Sequence, residues 1–281
     1  MKETRAEYLA VDKLRPFDEH PFKVVDNEEM DQLTWSILTQ GLLTPLVVRP
    51  LDNGEYEVIS GHRRLHVCKK AGIETVPALI YAIDRDAAAI ALVDSNLQRE
   101  TILPSEKAFA YKLKRDALSH QGKTSHQVGE KLPTTAVIGK DGGDSMNQVL
   151  RYIRLTNLIP GILQKVDEGR IALTPAVELS YLTDTEQEDL LETMESEDCT
   201  PSLSQAIQMK TLSQSGQLDM DKIFSIMTQP KANQQEKISF KVSELRDYFP
   251  RHYTAAQMMQ EIKVALKERQ QRLARQRDHS R

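Results

Sequence analysis

The chain has 281 residues, 40% of them hydrophobic, which is enough for two or three domains with real cores. A formal net charge of −4 excludes a uniformly basic nucleic-acid coat, although it leaves room for local basic patches. Cys68 and Cys199 lack CxxC or Cys/His spacing, residues 1–5 lack a signal-like apolar run, and no stretch approaches the roughly 18 apolar residues of a membrane span, so a disulfide framework, a zinc site and a membrane partner are not expected.

Residues 8–11 read as a short strand, and Arg15-Pro16-Phe17 with Pro21-Phe22 as an irregular arm. Asp26 is placed to cap a helix whose apolar positions Met30, Leu33, Ile37 and Leu38 recur at helical spacing, with Glu28 and Glu29 in its first turn and Gly41 at its end. Leu46-Val47-Val48 and Tyr56-Glu57-Val58-Ile59 are strand-like and flank the turn Asp52-Asn53-Gly54, a hairpin pattern. The second strand delivers the chain into Ser60-Gly61-His62-Arg63-Arg64, a small-residue turn followed by a helix that opens on two arginines. Free backbone N–H groups, the positive end of the helix dipole and two bidentate cations suit a phosphate group.

That helix runs through Leu65, Val67 and Cys68 and stops at Gly72. Residues 76–81 form another strand, and Asp84 starts an alanine-rich helix that ends in the polar cluster Asp94-Ser95-Asn96-Leu97-Gln98-Arg99-Glu100. Mixed short strands and helices make residues 1–103 an α+β domain. From Pro104 the pattern turns helical, first as a locally basic helix with Ala108, Tyr111, Leu113 and Leu118, then as a polar linker over 119–133.

Residues 135–154 carry helix-turn-helix spacing within an all-α domain over 104–226: Ile138 and Gly139 in the first helix, Gly143 at the turn, Val149 and Tyr152 on the buried face of the second. Gly142 stands where an apolar side chain is expected. Ser145 caps the second helix, so Ser145, Asn147, Gln148, Arg151 and Arg154 are the candidate DNA contacts, since Asn, Gln and Arg pair bidentately with base edges. Caps at Thr174-Pro175, Thr183 with Glu186, and Thr200-Pro201 mark further helices. Residues 227–281 read as a linker, a strand at 238–242 and a helix over 255–277 with a Met258, Met259, Ile262, Ala265, Leu266 stripe. Seven Lys/Arg against two acids between 263 and 281 make its end basic.

The order of these pieces resembles the ParB/RepB family of partition proteins. The resemblance rests on Gly41-Leu42-Leu43-Thr44-Pro45-Leu46-Val47-Val48-Arg49-Pro50, Ser60-Gly61-His62-Arg63-Arg64, Ala71-Gly72-Ile73-Glu74-Thr75-Val76-Pro77-Ala78, Asn96-Leu97-Gln98-Arg99-Glu100 and Pro104-Ser105-Glu106-Lys107-Ala108, and with the helix-turn-helix it covers about residues 8–185. It implies an N-terminal domain that binds a cytidine nucleotide, a central domain that reads DNA, and a C-terminal dimerisation region. The nucleotide set it implies is Ser60, Gly61, His62, Arg63, Arg64, Asn96, Gln98 and Arg99 for CTP, with Asp94 and Asn96 left as ligands for Mg²⁺.

Two positions depart from the family pattern. His62 replaces the glutamate before the arginine pair, and Ser95 replaces the glutamate before Asn96. Phosphate binding needs only the turn and the arginines, whereas Mg²⁺ prefers carboxylate oxygens, so weak CTP hydrolysis stays an open question. The unpaired cysteines and the absence of a signal-like or membrane-spanning run lead to the expectation of a cytoplasmic protein, and the resemblance further implies a homodimer on nucleoid or plasmid DNA, a ParA-type ATPase partner, and the branch found on mobile elements. Two alternatives stand beside it: a transcription regulator or nucleoid-associated factor without a partition role, and a nucleotide-dependent enzyme on the sulfiredoxin-like version of the N-terminal fold.

Overall fold

In the computed structural model, described for residues 4–99, 101–124, 138, 142–229, 242–250 and 252–278, the chain divides into two compact units, residues 1–229 and 230–281. The first unit opens with a mixed sheet of β1 (Thr4–Ala10), β2 (Leu14–Pro16), β3 (Leu46–Pro50), β4 (Tyr56–Ser60) and β5 (Thr75–Tyr81), in the order β1-β5-β3-β4-β2. β3 and β4 form the expected antiparallel hairpin, while β3 runs parallel to β5 and β2 parallel to β4. Alternation along the strands separates two faces. Leu46, Val48 and Val58 pack with α1 (Glu28–Gln40) and α2 (His62–Lys70), whereas Val47 and Ile59 face α3 (Arg85–Asn96) and α4 (Pro104–Thr124).

Caps fix where these helices start. Asp84 accepts the Ala87 N–H at 2.8 Å, as expected. For α1 the cap is Asn27, whose side chain accepts the Met30 N–H at 3.1 Å. Asp26, the expected cap, is diverted to α2, where it meets His66 Nε2 at 3.1 Å and Lys70 Nζ at 3.3 Å.

The other elements described in the first unit are helices: α5 (Met146–Arg154), α6 (Pro160–Asp167), α7 (Leu173–Leu179), α8 (Asp184–Ser196), α9 (Leu203–Gln214) and α10 (Met220–Met227). Thr183 and Glu186 make the expected capping box on α8. The neighbouring starts are each shifted by two residues: α7 is flanked by Ala172 rather than Thr174, and α9 is capped by Ser202 with Gln205 in a capping box rather than by Thr200. α4 continues to Thr124, through part of the stretch expected as linker, and α10 was not expected at all. One apolar cluster joins Phe17 and Phe22 of the arm, Ile59 of the sheet, Leu92 and Val93 of α3, Tyr111 of α4, and Ile138, Val149 and Ile153 of the helix-turn-helix region. The core therefore runs across position 103 without interruption.

The second unit holds α11 (Val242–Leu245) and α12 (Ala255–Asp278). Of the strand expected at 238–242, residues 238–241 lie outside the described residues and Val242 is helical. No helix among the described residues is long and apolar enough to cross a membrane.

Candidate functional site

β4 ends at Ser60, and Gly61 then turns the chain into α2 with a left-handed φ of 104°. A side chain there would be strained, and its Cβ would lie 2.5 Å from Leu46 Cδ2. The first bond of α2 runs from the Leu65 N–H to the Gly61 carbonyl at 2.9 Å, and no side chain caps the helix. The N–H groups of His62, Arg63 and Arg64 thus lack intrahelical partners.

These groups border a cleft of about 560 Å³. Ser60 through Arg64 form its base, Ser95, Asn96 and Arg99 close it from the end of α3, and Glu29, Gln32 and Leu33 of α1 form the remaining wall. Three guanidiniums against the single carboxylate of Glu29 make it electropositive. Arg63 Nη1 meets Glu29 Oε2 at 3.2 Å. Arg64 Nη1 donates to the Thr44 carbonyl and to the Pro45 carbonyl at 3.0 Å, which holds the guanidinium in place. Burial lowers the Arg64 pKa from its ordinary value, a desolvation that a bound anion would offset.

His62 is engaged on its far side. Its Nε2 accepts the Phe17 N–H at 3.2 Å, and its ring lies 3.7 Å from that of His20. Burial first, then His20 and Arg99, push its pKa down to about 3, so the imidazole is neutral and offers the cleft its backbone N–H rather than a cationic ring. Asn96 is buried, with its amide nitrogen donating to the Leu92 carbonyl at 2.8 Å and to Ser95 Oγ at 3.3 Å.

Two expected members stand apart. Gln98 is exposed and does not line the cleft. Asp94 is ion-paired with the buried Lys114 of α4 and is likewise absent from the cleft wall. Asp94 and Asn96 are therefore not assembled as a ligand pair, and the one carboxylate in the cleft is occupied by Arg63. No cluster of three or more His, Cys, Asp or Glu that could hold a metal exists among the described residues. The residues present do not fit a Mg²⁺ ion held in the expected way. Glu29, Gln32, Leu33 and Ser95 were not anticipated; the first three share one face of α1 by their i, i+3, i+4 spacing, but only the packing of α1 beside α2 turns that face into a wall.

Of the first helix of the helix-turn-helix, only Ile138 and Gly142 are described; Gly139 lies outside the described residues. Gly142 stands 2.3 Å, by its notional Cβ, from the Tyr111 hydroxyl, so the aromatic ring fills the space that an apolar residue there would take. Asp144, just after the turn, accepts from Tyr111 Oη at 2.5 Å and pairs with Lys107 Nζ at 2.6 Å. Ser145 then caps α5, accepting the Gln148 N–H at 3.2 Å. Met146, Asn147 and Leu150 are exposed, while Gln148 and Arg151 are half-buried. Arg151 Nη2 donates to Thr174 Oγ1 at 2.6 Å. Arg154 is committed to the array behind: it donates to Ser180 Oγ at 3.1 Å and to the Ser180 carbonyl at 3.0 Å, with its guanidinium 3.8 Å over the Tyr181 ring.

Residues 1–97 match the model of the ParB N-terminal domain. A probable chromosome-partitioning protein ParB from Vibrio cholerae is 30% identical over 239 residues, covering 85% of this chain and 77% of that protein. The chromosome-partitioning protein Spo0J from Thermus thermophilus is 35% identical over 184 residues, covering 65% of this chain but only 61% of that one. Among solved structures, C-terminally truncated ParB from Caulobacter crescentus is similar in two complexes. With the centromeric parS site, the TM-score is 0.41 at 21% identity, covering 74% of this chain and 99% of that one. With CTP-gamma-S, it is 0.32 at 23% identity, covering 68% and 99%. A matching N-terminal domain, and identity that continues through the helical region across most of the Vibrio relative, place the chain in the ParB family of chromosome-partitioning proteins.

Proposed function

We propose that the chain is a DNA-binding partition protein whose N-terminal cleft binds CTP and whose α5 reads a DNA site. The observation that carries the first half is the convergence of Arg63, Arg64, Arg99 and the uncapped start of α2 on one cleft. That arrangement suits a polyphosphate. Cytidine as the base comes from the family resemblance and not from the geometry. The reading is one of binding rather than hydrolysis, because the carboxylates that would hold Mg²⁺ are absent or engaged.

For the second half, Asn147, Gln148 and Arg151 on α5 supply base contacts, and basic residues of the helical region and tail supply salt-dependent phosphate contacts. Arg154 serves in this reading as a strut that sets α5 against α7. Homodimerisation belongs to α12, which leaves Met259, Val264 and Leu266 exposed. A ParA-type ATPase partner and a nucleoid- or plasmid-associated location complete the reading. The test separates the two halves: Arg64→Ala lowers CTP affinity about tenfold or more, which is about 1.4 kcal/mol, while binding to a genomic DNA fragment carrying the site is retained. Asn147→Ala does the reverse. Parallel loss of both activities in either variant would overturn this division.

A further inference from the structure

The cleft gathers positive charge and offers little that would hold a divalent cation. Arg64 donates to the Thr44 and Pro45 carbonyls, and the Arg99 guanidinium sits 5.3 Å from the Phe22 ring; among the described residues neither is ion-paired with a carboxylate. Burial lowers the pKa of both, and Arg63 adds to the shift of Arg99 while Glu106 opposes it. Arg63 and Arg99 therefore feel each other's charge within one cleft. Glu106 lies outside the cleft wall, its carboxylate accepting the Lys23 N–H at 2.8 Å and the Leu103 N–H at 3.1 Å.

The oxygen donors of the cleft are few and committed. Glu29 brings the one carboxylate among the lining residues, and Arg63 Nη1 holds it at 3.2 Å. Ser95 stands where the family pattern has a glutamate; its hydroxyl donates to the Leu92 carbonyl at 2.9 Å and accepts from Asn96 Nδ2 at 3.3 Å. Asn96 is left with a neutral amide oxygen. His62, at the second departure from that pattern, has its Nε2 engaged by the Phe17 N–H, and Asp94 faces Lys114. Mg²⁺ demands near-octahedral oxygen ligands and sheds its water reluctantly, so proteins hold it with carboxylates together with phosphates. Here the ion would enter beside three guanidiniums, against their repulsion.

We infer that the cleft takes its triphosphate free of metal, with Arg63, Arg64 and Arg99 in the charge-neutralising role of Mg²⁺. A nucleoside triphosphate carries about four negative charges near neutral pH and its magnesium complex about two, so three cations and the α2 start attract the free form more strongly. Magnesium is then a competitor for the phosphates and not a partner in binding. The inference rests on the reading of the cleft as a nucleotide site, and adds which ionic species that site selects.

The test is calorimetric titration of the full chain with CTP, in EDTA and in excess Mg²⁺ at equal ionic strength. The wild type binds more tightly in EDTA, by about threefold or more; equal or weaker binding in EDTA would overturn the metal-free assignment and leave the cleft a CTP site. Ser95→Glu returns a carboxylate to the end of α3, so its affinity in EDTA falls about tenfold or more and Mg²⁺ restores most of the loss. Arg99→Gln removes a charge while keeping a long side chain over Phe22, and it loses more affinity in EDTA than in Mg²⁺. Equal losses under the two conditions would overturn the exchange of metal for guanidinium. Absence of CTP binding by the wild type under both conditions would instead overturn the reading of the cleft, and this inference with it.

Discussion

His62 is enclosed by Phe17, His20 and Arg99, and the folded chain holds its imidazole neutral with a pKa pushed down to about 3. An unfolded histidine titrates near 6.5, so between these values the unfolded chain binds the extra proton. Stability is complete above about pH 6.5 and is lost as pH falls toward 3, by at most about 1.4 kcal/mol per pH unit from this group. His20, also lowered by burial, adds with the same sign, while Glu106 acts on it in the opposite sense. The melting midpoint of the wild type therefore falls on acidification from about pH 6.5 to about pH 4, and His62→Gln flattens that slope; equal slopes would place the proton elsewhere. Gly61→Ala is expected to cost roughly 1–3 kcal/mol and to weaken CTP binding, because both the φ of 104° and the Leu46 contact oppose a Cβ; an unchanged melting midpoint would contradict this. Gly61, Arg63 and Arg64 were legible in the sequence because turn, helix start and cations are contiguous. Asp94 was misread for a reason also present there: two residues apart on a helix, it points nearly opposite to Asn96, and that direction leads to Lys114 on α4.

At the scale of elements, α4 is the pillar on which the helix-turn-helix is set. Tyr111 replaces the side chain that Gly142 lacks, and with Lys107 it holds Asp144 in front of the α5 cap. Gly142→Ala should lower stability by roughly 1–3 kcal/mol, and Tyr111→Phe in the same chain should recover part of the loss by removing the hydroxyl that clashes. Strict additivity of the two changes, read by denaturant unfolding, would contradict the packing. On α5 the exposed stripe is Met146, Asn147 and Leu150. Asn147→Ala is expected to cost about 1–3 kcal/mol at one base pair and leave the salt dependence of DNA binding unchanged; a uniform loss across sequences would assign it to the phosphates instead. Helix caps were readable at Asp84, at Ser145, and at Thr183, where Glu186 three residues on completes a capping box. The cap of α1 was misplaced because the choice between Asp26 and Asn27 depends on His66 and Lys70, distant in sequence, which claim the first. α10 escaped because its cap Asp219 has Lys222, not Glu or Gln, three residues on, so it carries no capping-box signature like that at Thr183.

Over the whole molecule, the first unit shares one apolar cluster from the sheet through the arm, α3 and α4 to α5. The change of pattern at Pro104 was visible in the sequence; the continuity of the core across it was not, because a cluster that gathers residues as distant in sequence as Phe22 and Ile153 leaves no local trace. The same holds for the arm, whose partners Glu106 and Asp167 lie 83 and 144 positions from Lys23. If the cleft binds CTP and α5 reads DNA, as proposed, any effect of CTP on DNA affinity must be matched by an equal effect of DNA on CTP affinity. Calorimetric titration of the full chain with CTP, UTP, ATP, GTP and inorganic phosphate decides whether the cleft at Gly61 to Arg64 is the CTP site proposed above. CTP should bind about tenfold or more tighter than each of the others, and Arg64→Ala should remove that binding. Binding of all nucleotides with equal affinity, or CTP binding that Arg64→Ala leaves intact, would contradict it.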